Sequence, residues 1–157
     1  MADDYADNNE LRTAIDFFIK TAGPQYTEFL GFSIDSTDFE TGVIRFDMCD
    51  RLVGNPYYRI LHGGIISSIL DITGGFTVYL HVLRDMKGKP FDKQVERLSK
   101  IGTIDIRVDF LRPGKGESFR ANGHILRKGS KVAVTLLELH NEKDILIAVA
   151  TGTYMIG

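Results

Sequence analysis

A chain of 157 residues fits one compact domain able to bury a core of its own. Its formal net charge of −2 argues against nucleic acid as a main partner, because phosphates are neutralised by a basic surplus. The single cysteine excludes an internal disulfide, and the polar, acidic stretch from Met1 to Glu10 is unlike a targeting segment, so a cytoplasmic location is expected.

Leu11, Ile15, Phe17, Phe18 and Ala22 have helical spacing that ends at Gly23-Pro24. A short apolar stretch, Tyr26 to Phe32, follows, and residues 33–39 and 42–49 read as two strands joined near Thr41-Gly42. Arg51 to Ile60 reads as a loop carrying the turn formers Gly54, Asn55 and Pro56. From Gly63 to about Val82 nearly every position is apolar, which predicts a helix buried on most sides yet too short to cross a bilayer. Gly74 and Gly75 weaken this helix by ~1 kcal/mol each relative to Ala, a cost best explained by another backbone packing close. Residues 83–100 form a charged connector with a weak helical pattern. Beyond it Ile104, Ile106, Val108 and Phe110 share one strand face, while Asp105, Arg107 and Asp109 take the other. The turn Leu111-Arg112-Pro113-Gly114 leads to strands at about 117–128, 131–140 and 145–156, with hairpin signals at Lys128-Gly129 and Asn141-Glu142.

Helix, two strands, one buried helix, then four strands is an α+β order in which an antiparallel sheet curls around a central helix. The open sheet edge and any uncovered helix face call for a second copy of the chain.

Asp71 is the one charged side chain between Ile65 and Leu80. An unpartnered buried carboxylate is very costly, so Asp71 is paired, hydrogen-bonded, protonated or facing a cavity. A structural hydrogen-bonded aspartate and a tuned base or nucleophile are equally compatible with that position. His62-Gly63-Gly64 opens the same helix, where free N–H groups and the positive dipole end favour developing negative charge. The plainer reading is a capping histidine and a tight turn; the functional one is an oxyanion hole. His62 and Asp71 lie nine residues apart, ~13 Å along a helix, too far to act on one carbonyl in one chain. A two-fold dimer with antiparallel helices would bring Asp71 of one copy to the helix start of the other. Cys49 has no histidine partner motif, no Gly-x-Ser-x-Gly elbow or phosphate loop occurs, and His81, His124 and His140 lack metal-ligand spacing.

The run Asn55-Pro56-Tyr57-Tyr58-Arg59-Ile60-Leu61-His62-Gly63-Gly64, with Asp71 following, resembles the signature of hotdog-fold acyl-CoA thioesterases of the phenylacetate-pathway and 4-hydroxybenzoyl-CoA type. The resemblance continues through Gly102 to Gly114, the Gly123 to Lys131 hairpin and the strand Ala148 to Tyr154. It implies a hotdog domain over 29–157, a sheet of about six strands around one long helix, with 1–28 as a helical extension. It further implies that the Gly63 N–H polarises a thioester carbonyl and that Asp71 of a partner chain attacks it or activates water. His62 would orient the site loop and Asn55; Asn55 would place water or thioester; Thr103 would position the nucleophilic water. Two departures stand out. Asn55 lies seven residues before His62 where the family has six, and simple alternation turns Thr103 to the polar face of its strand. Gly64, Ser67, Arg112, Pro113, Arg127 and Lys128 are expected to contact substrate, the cations through the phosphates of CoA. The implied activity is hydrolysis of acyl-CoA, with a medium-to-long fatty acyl group expected, by a homodimer or dimer of dimers needing no cofactor or metal and binding neither nucleic acid nor membrane. The rival readings are a non-catalytic acyl-CoA or acyl-carrier-protein sensor and an enoyl-thioester hydratase.

Overall fold

The computed structural model describes residues 2–157, and side chains from residue 9 onward. In chain order the elements are α1 (Ala2–Thr21), α2 (Pro24–Leu30), β1 (Phe32–Ile34), β2 (Gly42–Asp47), β3 (Val53–Asn55), β4 (Ile60–Leu61), α3 (Gly63–Asp85), α4 (Phe91–Leu98), β5 (Gly102–Phe110), β6 (Ser118–Lys128), β7 (Val132–Asn141) and β8 (Leu146–Met155).

The stretch after Gly23-Pro24 is itself helical: Gly23 turns the chain at φ 76 and Pro24 opens α2, whose first turn needs no proline N–H. The first strand stops at Ile34 instead of running to residue 39, because Asp38 Oδ1 accepts from the N–H groups of Glu40 and Thr41 at 2.8 and 2.9 Å and folds the backbone into a local turn. The connector carries one defined helix, α4. Helix α3, at 23 residues, is long and apolar enough to cross a bilayer by length and composition, which corrects the expectation that it is too short. Its surroundings assign it to the core: two-thirds of its most apolar window is buried.

Antiparallel pairing gives one six-stranded sheet, ordered β1-β2-β6-β7-β8-β5, with β3 and β4 as a separate two-stranded ribbon. Helix α3 lies on one face of this sheet. Ile66, Ile69 and Leu70 pack with Ile44, Phe119, Leu137 and Ile147, all essentially excluded from water, each worth ~1.5–3 kcal/mol of burial. The helix comes unusually near the strands beneath it. Gly42 and Gly123 are register partners on β2 and β6, and a Cβ on either would strike the Thr77 hydroxyl. That hydroxyl donates to the Thr73 carbonyl at 2.7 Å, so nothing polar is left unpaired in the contact.

The glycine pair of α3 has a different cause from the one its sequence suggests. A side chain, the ring of Tyr154, fills the space: a Cβ on Gly74 would lie 2.7 Å from Tyr154 Cζ, and one on Gly75 would lie 3.8 Å from Tyr154 Cε1. Strand β5 also departs from simple alternation. Thr103 pairs with Tyr154 and Asp105 with Thr153, so Ile104 is an extra residue that resets the phase. Ile104 is therefore turned out to solvent, 56% exposed, while Ile106 and Val108 face inward; Phe110, at the end of the strand, is 54% exposed beside the start of α3.

Gly123→Ala is expected to cost about 1–3 kcal/mol of stability through overpacking against Thr77. Thr77→Ala in the same chain should recover part of that loss, because the colliding atoms belong mainly to side chains. Denaturant midpoints of the single and double variants measure both effects.

Candidate active site

The site residues gather at two places on α3. The first is the helix start. His62 is the N-cap, and its Nδ1 accepts from the Gly64 N–H at 2.9 Å, so the proton of the neutral ring sits on Nε2. The His62 carbonyl takes the N–H groups of Ile65 and Ile66 at 2.9 and 3.2 Å. Of the four N–H groups that open the helix, only that of Gly63 has no acceptor among the described residues. It points from the positive end of a 23-residue helix. A side chain at Gly63 would touch the Phe110 ring at 3.6 Å, so the end of β5 walls this corner.

The approach to the helix start is fixed by Gly54, where a Cβ would lie 2.6 Å from the His62 Cα, and by the His62 N–H donating to the Leu52 carbonyl at 2.9 Å. Asn55 follows directly, paired with Ile60, with a register irregularity between Val53 and Asn55. Asn55 Oδ1 accepts from the Tyr57 N–H at 3.0 Å, which holds the loop. The Arg112–Gly114 turn joins the same end: the Gly114 carbonyl accepts from the Leu61 N–H at 2.9 Å, Pro113 adjoins it, and Arg112 Nη1 donates to the Leu146 carbonyl. Ser67 sits one turn into α3, its hydroxyl donating to the Gly63 carbonyl at 3.0 Å.

The second place is Asp71, ~12 Å further along the helix than Gly63. Thr103 Oγ1 donates to Asp71 Oδ1 at 2.9 Å. The Tyr154 hydroxyl lies 3.0 Å from the Asp71 carbonyl oxygen and 3.3 Å from Oδ1. Thr103 reaches the carboxylate because the β5 irregularity at Ile104 turns it toward α3, which removes the conflict with strand alternation. Burial first, and then the Asp71 charge, push the Tyr154 phenol up, so it stays protonated and can only donate to the carboxylate. Oδ1 is thus held twice, while Oδ2 receives no hydrogen bond among the described residues. The carboxylate opens onto a cavity of about 490 Å³ bounded by Phe17 and Phe18 of α1, Gly75 of α3 and Val95 of α4.

One chain therefore does not unite Gly63 with Asp71, in line with their spacing. Nor does it unite the expected basic residues. Lys128 pairs with Asp85 and donates to the His81 carbonyl at 3.3 Å, at the far end of α3 from Arg112. Arg127 precedes it there, exposed on β6. The length of α3 separates them from Arg112. His81, beside Lys128, donates from Nε2 to the Glu40 carbonyl at 2.9 Å, with Arg84 at 3.3 Å from Nδ1. Among the described residues no three His, Cys, Asp or Glu side chains converge as a metal site.

Tyr154 is the site residue that sequence reasoning missed. Its signal was there: Gly152 precedes it by two residues, and a Cβ on Gly152 would lie 2.7 Å from the same ring that Gly74 accommodates. The walls from α1 and α4 carry no motif and depend on tertiary contact alone.

A six-stranded antiparallel sheet around one long helix, with a glycine-rich helix start and an acid two turns on, defines a hotdog thioesterase architecture. The chain belongs to the thioesterase superfamily, whose family model matches residues 58–148, more than half of its length. Among its relatives is an Escherichia coli K12 protein named medium/long-chain acyl-CoA thioesterase YigI, 43% identical over 132 residues, covering 84% of this chain and 85% of that one. A Shewanella oneidensis crystal structure described as related to the thioesterase superfamily superposes with a TM-score of 0.80 at 39% identity, covering 84% and 86% of the two chains. A Syntrophus aciditrophicus structure described as a candidate thioesterase also gives 0.80, at 33% identity, covering 95% and 97%.

Tyr154→Phe keeps the ring packing and removes the donor. It is expected to cost about 1 kcal/mol of stability and to lower kcat for thioester hydrolysis more than tenfold with little change in KM, read by calorimetry and steady-state kinetics. Burial, reinforced by the Lys128 ammonium, holds His81 below its ordinary 6.5. The unfolded chain then binds this proton more readily, so the stability contributed by neutral His81 is complete above pH 6.5 and falls as pH drops below it. His81→Gln should flatten this part of the Tm-versus-pH profile between pH 7.5 and 5.

Proposed function

We propose that this chain hydrolyses acyl-CoA thioesters, with a medium-to-long fatty acyl group as substrate, and that each active site is built from two copies. The observation that carries the reading is the Asp71 carboxylate, which lines a mainly apolar cavity and is held on Oδ1 by Thr103 and Tyr154, with Oδ2 free of hydrogen bonds among the described residues. The named activity of the Escherichia coli relative supports the same substrate class.

The chemistry needs an electrophilic carbonyl and an activated oxygen. The unpaired Gly63 N–H of one copy receives the carbonyl oxygen and stabilises the oxyanion as it forms. Oδ2 of Asp71 from the other copy takes a proton from water, whose oxygen bonds to the carbonyl carbon; alternatively, Oδ2 bonds to that carbon itself. The C–S bond then breaks and CoA leaves as a thiolate that is protonated, leaving the free acid in the first route and an acyl-aspartyl anhydride in the second. In the second route water afterwards cleaves the acyl-aspartyl anhydride. Label in the Asp71 carboxylate after single turnover in ¹⁸O-labelled water identifies the anhydride route, with water cleaving at the aspartyl carbonyl, because the general-base route leaves that carboxylate unlabelled. His62 and Asn55 hold the helix-start loop, and Arg112 lies at the same end to meet the CoA phosphates.

Pairing through β5 fits the composite site. Its outer edge is unpaired and presents exposed Ile104, Phe110 and Leu111. Asp105, Arg107 and Asp109 alternate along it, so an antiparallel copy can set arginine against aspartate. Two copies related in this way run their α3 helices antiparallel, which offsets the ~12 Å between Gly63 and Asp71.

Complementation tests the composite site. Asp71→Asn should cut thiol release at least a thousandfold on every acyl-CoA. Gly63→Pro removes the unpaired N–H at the first helical position, where proline fits, and should also be nearly inactive. Mixed and re-associated, the two inactive proteins form half mixed dimers, each with one intact site, so about one quarter of wild-type activity returns. No recovery from freely exchanging subunits would place each site within one chain. Acyl-CoA binding without thiol release by the wild-type protein would instead favour the sensor.

A further inference from the structure

The geometry points to Phe17 as the residue that sets acyl chain length, standing between the cavity at Asp71 and a second, larger one behind it. This inference rests on the acyl-CoA hydrolase reading and goes beyond it by naming where the chain runs and what stops it.

The second cavity, about 770 Å³, lies between α1, α4 and the later turns of α3, with Leu11, Ala14 and Leu83 among its apolar walls. Both cavities fall within the ~300–1,000 Å³ usual for ligand sites. They share Phe17, Tyr79, Val95 and Leu98, so these four side chains are at once the end of the first and the entrance of the second. The path from the carboxylate to this partition follows α3. Gly75 lies one turn beyond Asp71 on nearly the same face and has no side chain to block the way; Tyr79 lies one turn further. Eight residues of helix separate Asp71 from Tyr79, ~12 Å. An extended alkyl chain, built of ~1.5 Å bonds and advancing ~1.3 Å per carbon, covers that distance in about nine carbons.

The four partition residues are not equally movable. Tyr79 is fixed: its ring is buried against Phe18 and Phe76, and its hydroxyl donates to the Ala14 carbonyl at 3.0 Å. Phe17 is half-buried, and among the described residues its one ring partner is the exposed Phe91, edge-on at 6.2 Å. Helix α1 is anchored by Leu11, Ala14 and Phe18, so losing the Phe17 ring opens the partition without releasing the helix. A medium-length chain fills the first cavity and ends at Phe17. A longer chain must displace that ring to reach the second.

The test is kcat/KM over saturated acyl-CoAs from about C6 to C18, for wild type, Phe17→Ala and Val95→Phe, with Tm as a check on folding. Phe17→Ala is expected to raise the C16-to-C8 ratio of kcat/KM at least tenfold, since each methylene newly admitted to an apolar pocket is worth roughly fourfold or more. Val95→Phe, which thickens the partition, should lower the same ratio. It remains decisive if Phe17→Ala fails to fold. Folded variants whose chain-length profiles match that of wild type would overturn the inference while leaving the hydrolase reading intact. Absence of thiol release by wild type at every chain length would instead overturn the hydrolase reading itself.

Discussion

The phenol of Tyr154 sits where side chains on Gly74 and Gly152 would have to be, and its hydroxyl ends on Asp71. Two elements are stripped to glycine to admit one ring, and the ring in turn decides where the central helix can lie against β8. Its hydroxyl lies 3.0 Å from the backbone oxygen of Asp71 and 3.3 Å from the carboxylate, so helix position and carboxylate orientation are fixed by the same contact. Thr103, opposite Tyr154 in the register of β5 and β8, completes the grip. Core packing and site geometry here have one cause. A disturbance of either is felt by both, because an interior packed to near-crystalline density has no slack to absorb it.

The helix start obeys a separate economy. Three of its four free N–H groups are consumed by His62, one through the ring and two through its carbonyl, so that among the described residues a single donor remains. A histidine cap is an unusual way to satisfy a helix start, since Nδ1 accepts only while the ring is neutral and its proton sits on Nε2. The glycine at the first position leaves that remaining donor approachable, and Phe110 bounds it on one side. These two centres share a rigid rod and little else.

Much of this was legible in the sequence. The buried helix announces itself because apolar residues cover its whole circumference, and Asp71 stands out against them. The alternating strands from Ile104 to Tyr154 read correctly in order and nearly in extent, since period two is a strong signal in half-buried antiparallel sheet. What was illegible depends on contacts between distant residues. No local rule shows that Ile104 is an extra residue, because the phase is set by β8 and by the helix that Thr103 must face. The cause of Gly74 lies eighty residues away, in Tyr154. Asp38 ends the first strand with two short-range hydrogen bonds, which its position in an apolar-polar alternation hides. Lys128 and Arg112 both lie at strand ends, and only the length of α3 reveals that these are opposite ends of the molecule.

The irregularity at Ile104 has one more consequence. It divides β5 into a short opening that serves the carboxylate and a longer remainder whose outer edge is free. Because the phase is reset between them, side chains past Asp105 can be exchanged, recharged or enlarged without rotating Thr103. The bulge therefore works as a mechanical clutch within a single strand: variation along the free outer edge can accumulate on one side of it while Thr103, on the other, keeps its hydrogen bond to Asp71.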